Sequence, residues 1–459
     1  MTRNIEVGTT DHLDPEVQAM LLAMYSRSYA PIASRLPDSE ESAQQHKEKL
    51  GKFYVQWGHK SVGQLGGTTV WLEGVSQLAA KAIENHPLFN GQESSTRYID
   101  YSYQPMVTDY PSVDHWQEKF RAFYIKAMPL VVEEIKKEFP FEEQHKGNMS
   151  QEQYDKLKVT WNNTIKARAF DICRGILPAG CTTNVGFAGT FDTLNDHFGE
   201  MLYHPSSEMR DIAKEVLTSM MEKYPYGTVS IEKLKERFSY VTEDFFYQEP
   251  SKMDSDKLFF FENEHCFIPE SRAELLKTRK KFEKINRVDS SRIKIIYRNL
   301  LDFGSYRDIH RHRAGVVDMC MLDVRYGFHK FYIDNLPESL FDEFDKLLGE
   351  YSDWFNLEDN PVPAVYKQYS TPMGFVIPVS YSCDLNQALY MMELRTGKTV
   401  HQTLRMFMQN WTHHFKETVG DNVLVHADMD EDNFTLKRGL QTIQNSEEIT
   451  DNESRRNNS

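Results

Sequence analysis

The chain lacks the long apolar run that a helical membrane crossing needs. No stretch of about 18 apolar residues occurs in its 459 residues, so no membrane partner is expected. The opening MTRNIEVGTTDHLDPEV has no apolar core, and no secretory leader is expected there. Cysteine is scarce. The five (Cys173, Cys181, Cys266, Cys320 and Cys383) are odd in number and contain no CxxC pair or zinc spacing. That excludes a disulfide scaffold, suits a reducing compartment, and makes a cytoplasmic location the expectation. Positive charge is also in deficit: 53 Lys and Arg against 68 Asp and Glu give a formal charge of −15. Broad binding to a nucleic acid polymer is therefore not expected. GxGxxG, P-loop, HExxH and GxSxG motifs are missing, as is a carboxylate pair spaced for general acid–base work. Without a nucleophile–base triad, any chemistry would depend on a bound cofactor.

What is present suits a folded globule. Hydrophobic residues make up 40% and charged residues 26%, and the length favours two or three domains or one large composite one. Asp14 is the expected N-cap of a first helix, with Pro15 at its first position. Asp38 with Glu41 suggests a capping-box variant for the next helix. A strand near Thr68–Leu72 should run into a helix ending before Pro87. Two long helices are expected over 110–170, separated by a polar turn at Gly147–Asn148. Gly175, Pro178 and Gly180 mark a sharp irregular connection. Residues 245–265 read as a linker or a long crossover, Arg272–Lys284 as a helix, and Arg292–Leu300 as a strand. Arg325–Tyr326 echoes Arg97–Tyr98, each before a turn and a long helix, which suggests a tandem duplication.

Four segments carry chemistry. Arg307-Asp308-Ile309-His310-Arg311-His312-Arg313 packs three arginines and two histidines into seven residues. On a helix, Arg307, His310 and Arg311 would share one face. Such a cluster needs carboxylates, phosphates or water, and reads either as an anion site or as a solvated basic patch. Gln92-Glu93-Ser94-Ser95-Thr96-Arg97-Tyr98 offers hydroxyls, backbone N–H groups and a guanidinium to a phosphate, or is an ordinary polar turn. Gly58-His59-Lys60-Ser61 is a cofactor loop or a helix C-cap. Glu393-Leu394-Arg395 places a guanidinium beside Met391 and Met392, a costly position unless the charge is paired.

Together these segments resemble the flavin-dependent thymidylate synthases, the thymidylate synthase complementing proteins. Their signature RHRxxSxNExSxRY, with a preceding GHxTPxEH segment and a following LR helix, looks split here between two copies. The first spans about 20–240. It carries GHKSVGQL, with His59 and Ser61 at the His and Thr, and QESSTRYIDYS, with Glu93, Ser95, Arg97 and Tyr98 in register. In that copy Asn85-His86-Pro87 replaces RHR, and Met201 or Tyr203 replaces the late arginine. The second spans about 275–425. It keeps Arg311-His312-Arg313 and Arg395, while Asp323-Val324-Arg325-Tyr326 is a displaced remnant of SxRY, and Asn286 and Val288 fall near the lost His/Thr places.

The resemblance implies an α+β fold of two similar units, each a small antiparallel sheet flanked by long helices. It implies units at 1–245 and 246–430, while the polar composition of 431–459 reads as a disordered tail. It also implies reductive methylation of dUMP at C5, with FAD as cofactor and methylenetetrahydrofolate and NADPH as co-substrates. The site would lie between the units. Arg311, Ser95 and Arg395 would be catalytic. Ser95, Thr96, Arg97, Arg307, Asp308, Arg311 and Arg395 would hold the nucleotide, and His59, Ser61, Glu93, Arg311, His312 and Arg313 the flavin. Because family sites form between subunits of a homotetramer, a duplicated chain is expected to form a homodimer. Asp308 stands where the family has a nucleotide-binding Gln, and Thr403 where it has an acid. These departures leave open a flavoenzyme acting on another pyrimidine nucleotide, or a non-catalytic nucleotide- or flavin-binding homologue.

Overall fold

The computed structural model describes residues 9–10, 12–107, 109–144, 149–248, 259–263, 270–432, 434–441 and 443. Among these, two compact units can be separated. The first is drawn from Met1–Glu73, Ala79–Glu93 and Asn184–Phe246, the second from Gly74–Leu78, Ser94–Thr183 and Tyr247–Ser459. These compact units differ from the sequence units 1–245 and 246–430, because residues 94–183 fall in the second. The reason is packing. The helix Pro111–Glu138 sets Phe120 edge-on to Tyr351 at 5.2 Å and stacks Phe123 on Phe344 at 4.8 Å.

In the first unit the helix Pro15–Tyr25 starts as expected, with the Asp14 carboxylate accepting the Glu16 N–H at 2.9 Å. The next helix, Glu40–Leu50, is capped by Ser39 rather than Asp38. The Ser39 hydroxyl accepts the Ser42 N–H at 3.2 Å, and Asp38 lies one residue outside and accepts the Ser39 hydroxyl. Strands β1 (Gly67–Ser76), β2 (Asn90–Glu93) and β3 (Thr182–Thr190) form one sheet in the order β1-β3-β2. Strand β1 runs directly into the helix Gln77–Glu84, and β3 into the helix Phe191–Met201.

The second unit holds β4 (Phe259–Asn263), β5 (Ile293–Asp302), β6 (Val316–Met319) and β7 (Val376–Asp384), in the antiparallel order β4-β5-β7-β6. The helix Glu270–Thr278 ends before the expected Lys284, and β5 matches the expected strand.

The duplication is visible in topology. The order β1-β3-β2 recurs as β5-β7-β6. A 3₁₀ turn and a proline precede the central strand each time: Arg174–Ile176 and Pro178 before β3, Gln368–Ser370 and Pro372 before β7. A helix follows each central strand, and the second such helix is Leu385–Arg395. The fold is therefore the expected α+β arrangement of two similar units with small antiparallel sheets and long helices. No helix among the described residues is long and apolar enough to cross a membrane.

The stretch expected as a disordered tail behaves differently at its start. Leu436–Leu440 forms a 3₁₀ turn whose Arg438 is buried, because the Arg438 guanidinium meets a buried carboxylate. Residues 444–459 lie outside the described residues.

Candidate functional site

The cationic segment begins on the helix Phe303–Ile309, whose N-cap carboxylate, Asp302, accepts the Ser305 N–H at 2.9 Å. The helix stops at Ile309. The His312 N–H closes a turn onto the Ile309 carbonyl at 3.0 Å, and the Tyr381 hydroxyl donates to the His312 carbonyl at 2.7 Å. Arg307 and Asp308 are thus helical, while Arg311, His312 and Arg313 lie in the turn beyond. This corrects the expectation that Arg307, His310 and Arg311 share a helix face.

Asp308 is the hub of the cluster. Arg174 donates to its carboxylate at 3.2 Å, and Arg395 donates to its backbone carbonyl at 3.0 Å. Burial raises its carboxyl, but Arg174, Arg97, Arg311 and Arg395 outweigh that and hold it well below the usual carboxylate range. Asp308 is therefore an anion that accepts hydrogen bonds and does not donate them.

Arg395 ends the helix Leu385–Arg395 beside the fully buried Met391 and Met392. Its Nε–H donates to His312 Nε2 at 2.7 Å. That contact requires an unprotonated Nε2 and puts the ring proton on Nδ1. Burial, with help from Arg395, lowers the His312 imidazole to about 3, so it is neutral at physiological pH. Arg313 donates to the Arg311 carbonyl at 3.1 Å.

The Ser95–Arg97 segment meets this cluster. Arg307 is buried and donates to the Thr96 hydroxyl at 3.1 Å. Ser95 accepts the Arg97 N–H at 3.2 Å, which fixes the local turn. Arg97 forms a two-pronged pair with Asp171, at 2.8 and 3.0 Å, and donates to the Thr399 carbonyl at 3.1 Å. Thus Ser95, Thr96, Arg97, Arg307, Asp308, Arg311 and Arg395 all fall within the second compact unit.

A supporting network was not foreseen in the sequence. Arg174, almost fully buried, also donates to the Ser305 hydroxyl at 3.1 Å and lies 3.9 Å from the Asp302 carboxylate. The Tyr332 hydroxyl donates to Asp302 at 2.7 Å. His401 links Thr403 at 2.9 Å to the Asp171 carbonyl at 2.9 Å. The helix Gln151–Cys173 carries the signal that could have revealed part of this: in RAFDICRG an acid and an arginine interrupt an apolar helix end. Thr403 serves this network through Ser305.

The flavin candidates of the first unit scatter. His59 is exposed, with its ring 5.8 Å from Phe53 and 5.9 Å from Trp57. Glu93 is buried against Lys81 at 3.0 Å, and Lys81 also pairs with Glu84. Ser61 is better placed. It lines a cavity of about 490 Å³ with Met20, Phe53 and Val62, where Arg27 and Lys49 add two cations. An apolar cavity with a hydroxyl and two cations fits a flat apolar ring system carrying an anionic tail, as a flavin dinucleotide does.

Residues 10–226 match the family model for the thymidylate synthase complementing protein. A UPF0159 protein of Chlamydia pneumoniae is 22% identical over 466 residues, covering 87% of each chain. The UPF0159 protein Ta1429 of Thermoplasma acidophilum is 20% identical over 450 residues, covering 84% of this chain and 89% of its own. A UPF0159 protein of Chlamydia muridarum is 22% identical over 435 residues, covering 82% and 79%. These relatives span both halves of the chain, and their names give no reaction. Over residues 10–226 the chain is thus similar to the thymidylate synthase complementing proteins, and that similarity supports a thymidylate synthase-like function.

Proposed function

We propose that the protein is a flavin-dependent thymidylate synthase-like enzyme that methylates dUMP reductively at C5, with methylenetetrahydrofolate as carbon donor and NADPH as reductant. The observation that carries this reading is the 3.1 Å hydrogen bond from Arg307 to Thr96, which joins the two halves of the split signature in one chain. Arg97, Arg307, Arg311 and Arg395 bind the nucleotide phosphate and oppose charge that develops on the ring oxygen during attack. Ser61, Arg27 and Lys49 hold the flavin beside the apolar wall of Met20, Phe53 and Val62. When bound and reduced, FAD supplies the hydride. His312 stays neutral and orients Arg395; it does not protonate substrate through Nε2. The buried free thiols Cys173, Cys181, Cys320 and Cys383 suit a cytoplasmic enzyme. The enzyme acts as a homodimer, by analogy with the family tetramer.

Purified protein should show the visible absorption of bound flavin. A colourless protein that takes up no FAD would end the proposal. Arg311→Ala should lose dUMP binding while keeping its thermal melting temperature.

A second reading is favoured by Asp308. An ionised carboxylate at this place accepts hydrogen bonds only, which suits a nucleotide presenting an amino group. Tritium release from C5-labelled dUMP supports the first reading. Release only from another pyrimidine nucleotide supports the second.

A further inference from the structure

Arg97 is the guanidinium of the SxRY half, yet in this structure it is already paired. Its partner Asp171 is buried, and Arg97 spans both oxygens of its carboxylate at 2.8 and 3.0 Å. A one-to-one buried pair is closed and neutral, and gives an incoming anion little to gain. Asp171, however, does not have one partner. Arg438 reaches the same two oxygens, donating from Nη2 to Oδ1 at 3.2 Å and from Nη1 to Oδ2. Burial raises the Asp171 carboxyl, but Arg438 first and then Arg97 outweigh it and hold it far below its ordinary range. The trio carries two guanidiniums on one carboxylate and is left with a net positive charge.

Arg438 belongs to the C-terminal turn Leu436–Leu440, and that turn is seated firmly. A Cβ built on Gly439 would lie 1.8 Å from the Thr160 carbonyl, so the backbone there touches the helix Gln151–Cys173 directly. The Asn163 and Thr164 side chains donate to the carbonyls of Gly439 and Leu436, both at 3.4 Å. The Arg438 guanidinium itself sits 5.5 Å over the ring of Tyr98, the neighbour of Arg97. The C-terminal turn therefore delivers a cation to the carboxylate that anchors the Ser95–Arg97 segment.

We propose that Arg438 is a positioning residue for anion binding: it shares Asp171 with Arg97, so that Arg97 keeps uncompensated charge for a nucleotide phosphate. Arg438 does not touch the phosphate. It acts through Asp171, and its contribution is a charge rather than a shape. The inference rests on the reading of Arg97 as a phosphate ligand.

The test is titration calorimetry of dUMP binding by the full-length protein, with melting temperature recorded for each variant. Arg438→Gln should weaken dUMP binding by about tenfold, because Asp171 then closes a neutral pair with Arg97. Arg438→Lys should recover most of that loss, since it restores the charge; a purely structural role, dependent on the planar fork, would not be rescued. Wild-type affinity in Arg438→Gln, or equal losses in Arg438→Gln and Arg438→Lys, would overturn the inference and leave the proposed function standing. Failure of the wild-type protein to bind dUMP would overturn the proposed function, and the inference with it.

Discussion

At the scale of single residues, charge placement decides which groups do what. Arg97, Arg174 and Arg395 each meet a carboxylate, a neutral imidazole or a backbone carbonyl. Around the cluster that looked self-repelling in the sequence, Asp308 is met by Arg174 from just beyond the helix Gln151–Cys173, more than a hundred residues upstream and out of reach of any local pattern. Asp308 was visible as an oddity in the sequence, but its burial among four guanidiniums was not. One acid stands apart. Glu200, on the helix Phe191–Met201, is raised to about 7 by burial first and then by Asp196, against a smaller opposing effect of Lys60. A carboxyl raised in the folded state stabilises the fold most at low pH, below its unfolded value of about 4.3, and that stability is lost as pH rises through the folded value. Glu200→Gln removes this loss, so its unfolding free energy relative to wild type, measured by urea denaturation, should grow as pH rises from 5 to 8. A slope unchanged by the substitution would show that Glu200 is ionised throughout.

At the scale of elements, legibility followed locality. The Asp14 cap and the strand–helix passage from β1 depend on neighbours a few residues apart, and the sequence pattern reports such neighbours. The end of the helix at Ile309 depends on Tyr381 binding the His312 carbonyl, a contact from β7 that no local periodicity encodes. The C-terminal turn is similar. Its sequence is polar and reads as tail, yet Gly439 fits against the Thr160 carbonyl because it has no side chain. Gly439→Ala should force the turn off the helix Gln151–Cys173, costing about 2 kcal/mol by analogy with overpacked cores. Hydrogen exchange over residues 151–173 should speed up, and dUMP affinity should fall with it as Arg438 leaves Asp171. Unchanged exchange would mean that the turn tolerates a methyl group by a small shift.

At the scale of the whole molecule, duplication has left two copies of one topology with unequal chemistry. The order β1-β3-β2 and its repeat β5-β7-β6 are equivalent as scaffolds. Their side chains are not. The set Ser95, Thr96, Arg97, Arg307, Arg311 and Arg395 is complete in arginine. The complementary set that the resemblance implies is not: Asn85-His86-Pro87 stands at its RHR place, and Met201 or Tyr203 at its late-arginine place. Burial lowers His86, which lies 5.2 Å from the His197 ring, so it supplies no positive charge at neutral pH. In the SxRY remnant, Arg325 folds back on Asp323 at 2.6 and 3.0 Å, on an exposed surface. A phosphate dianion needs several guanidiniums or backbone N–H groups to offset its desolvation, and this second set offers one arginine already paired. Calorimetry should therefore find one dUMP per chain rather than two, and Arg325→Ala should leave both stoichiometry and affinity within twofold of wild type. Two equivalent sites per chain would mean that the depleted set binds nucleotide by groups other than arginine, and that divergence after duplication changed the ligands without closing the site.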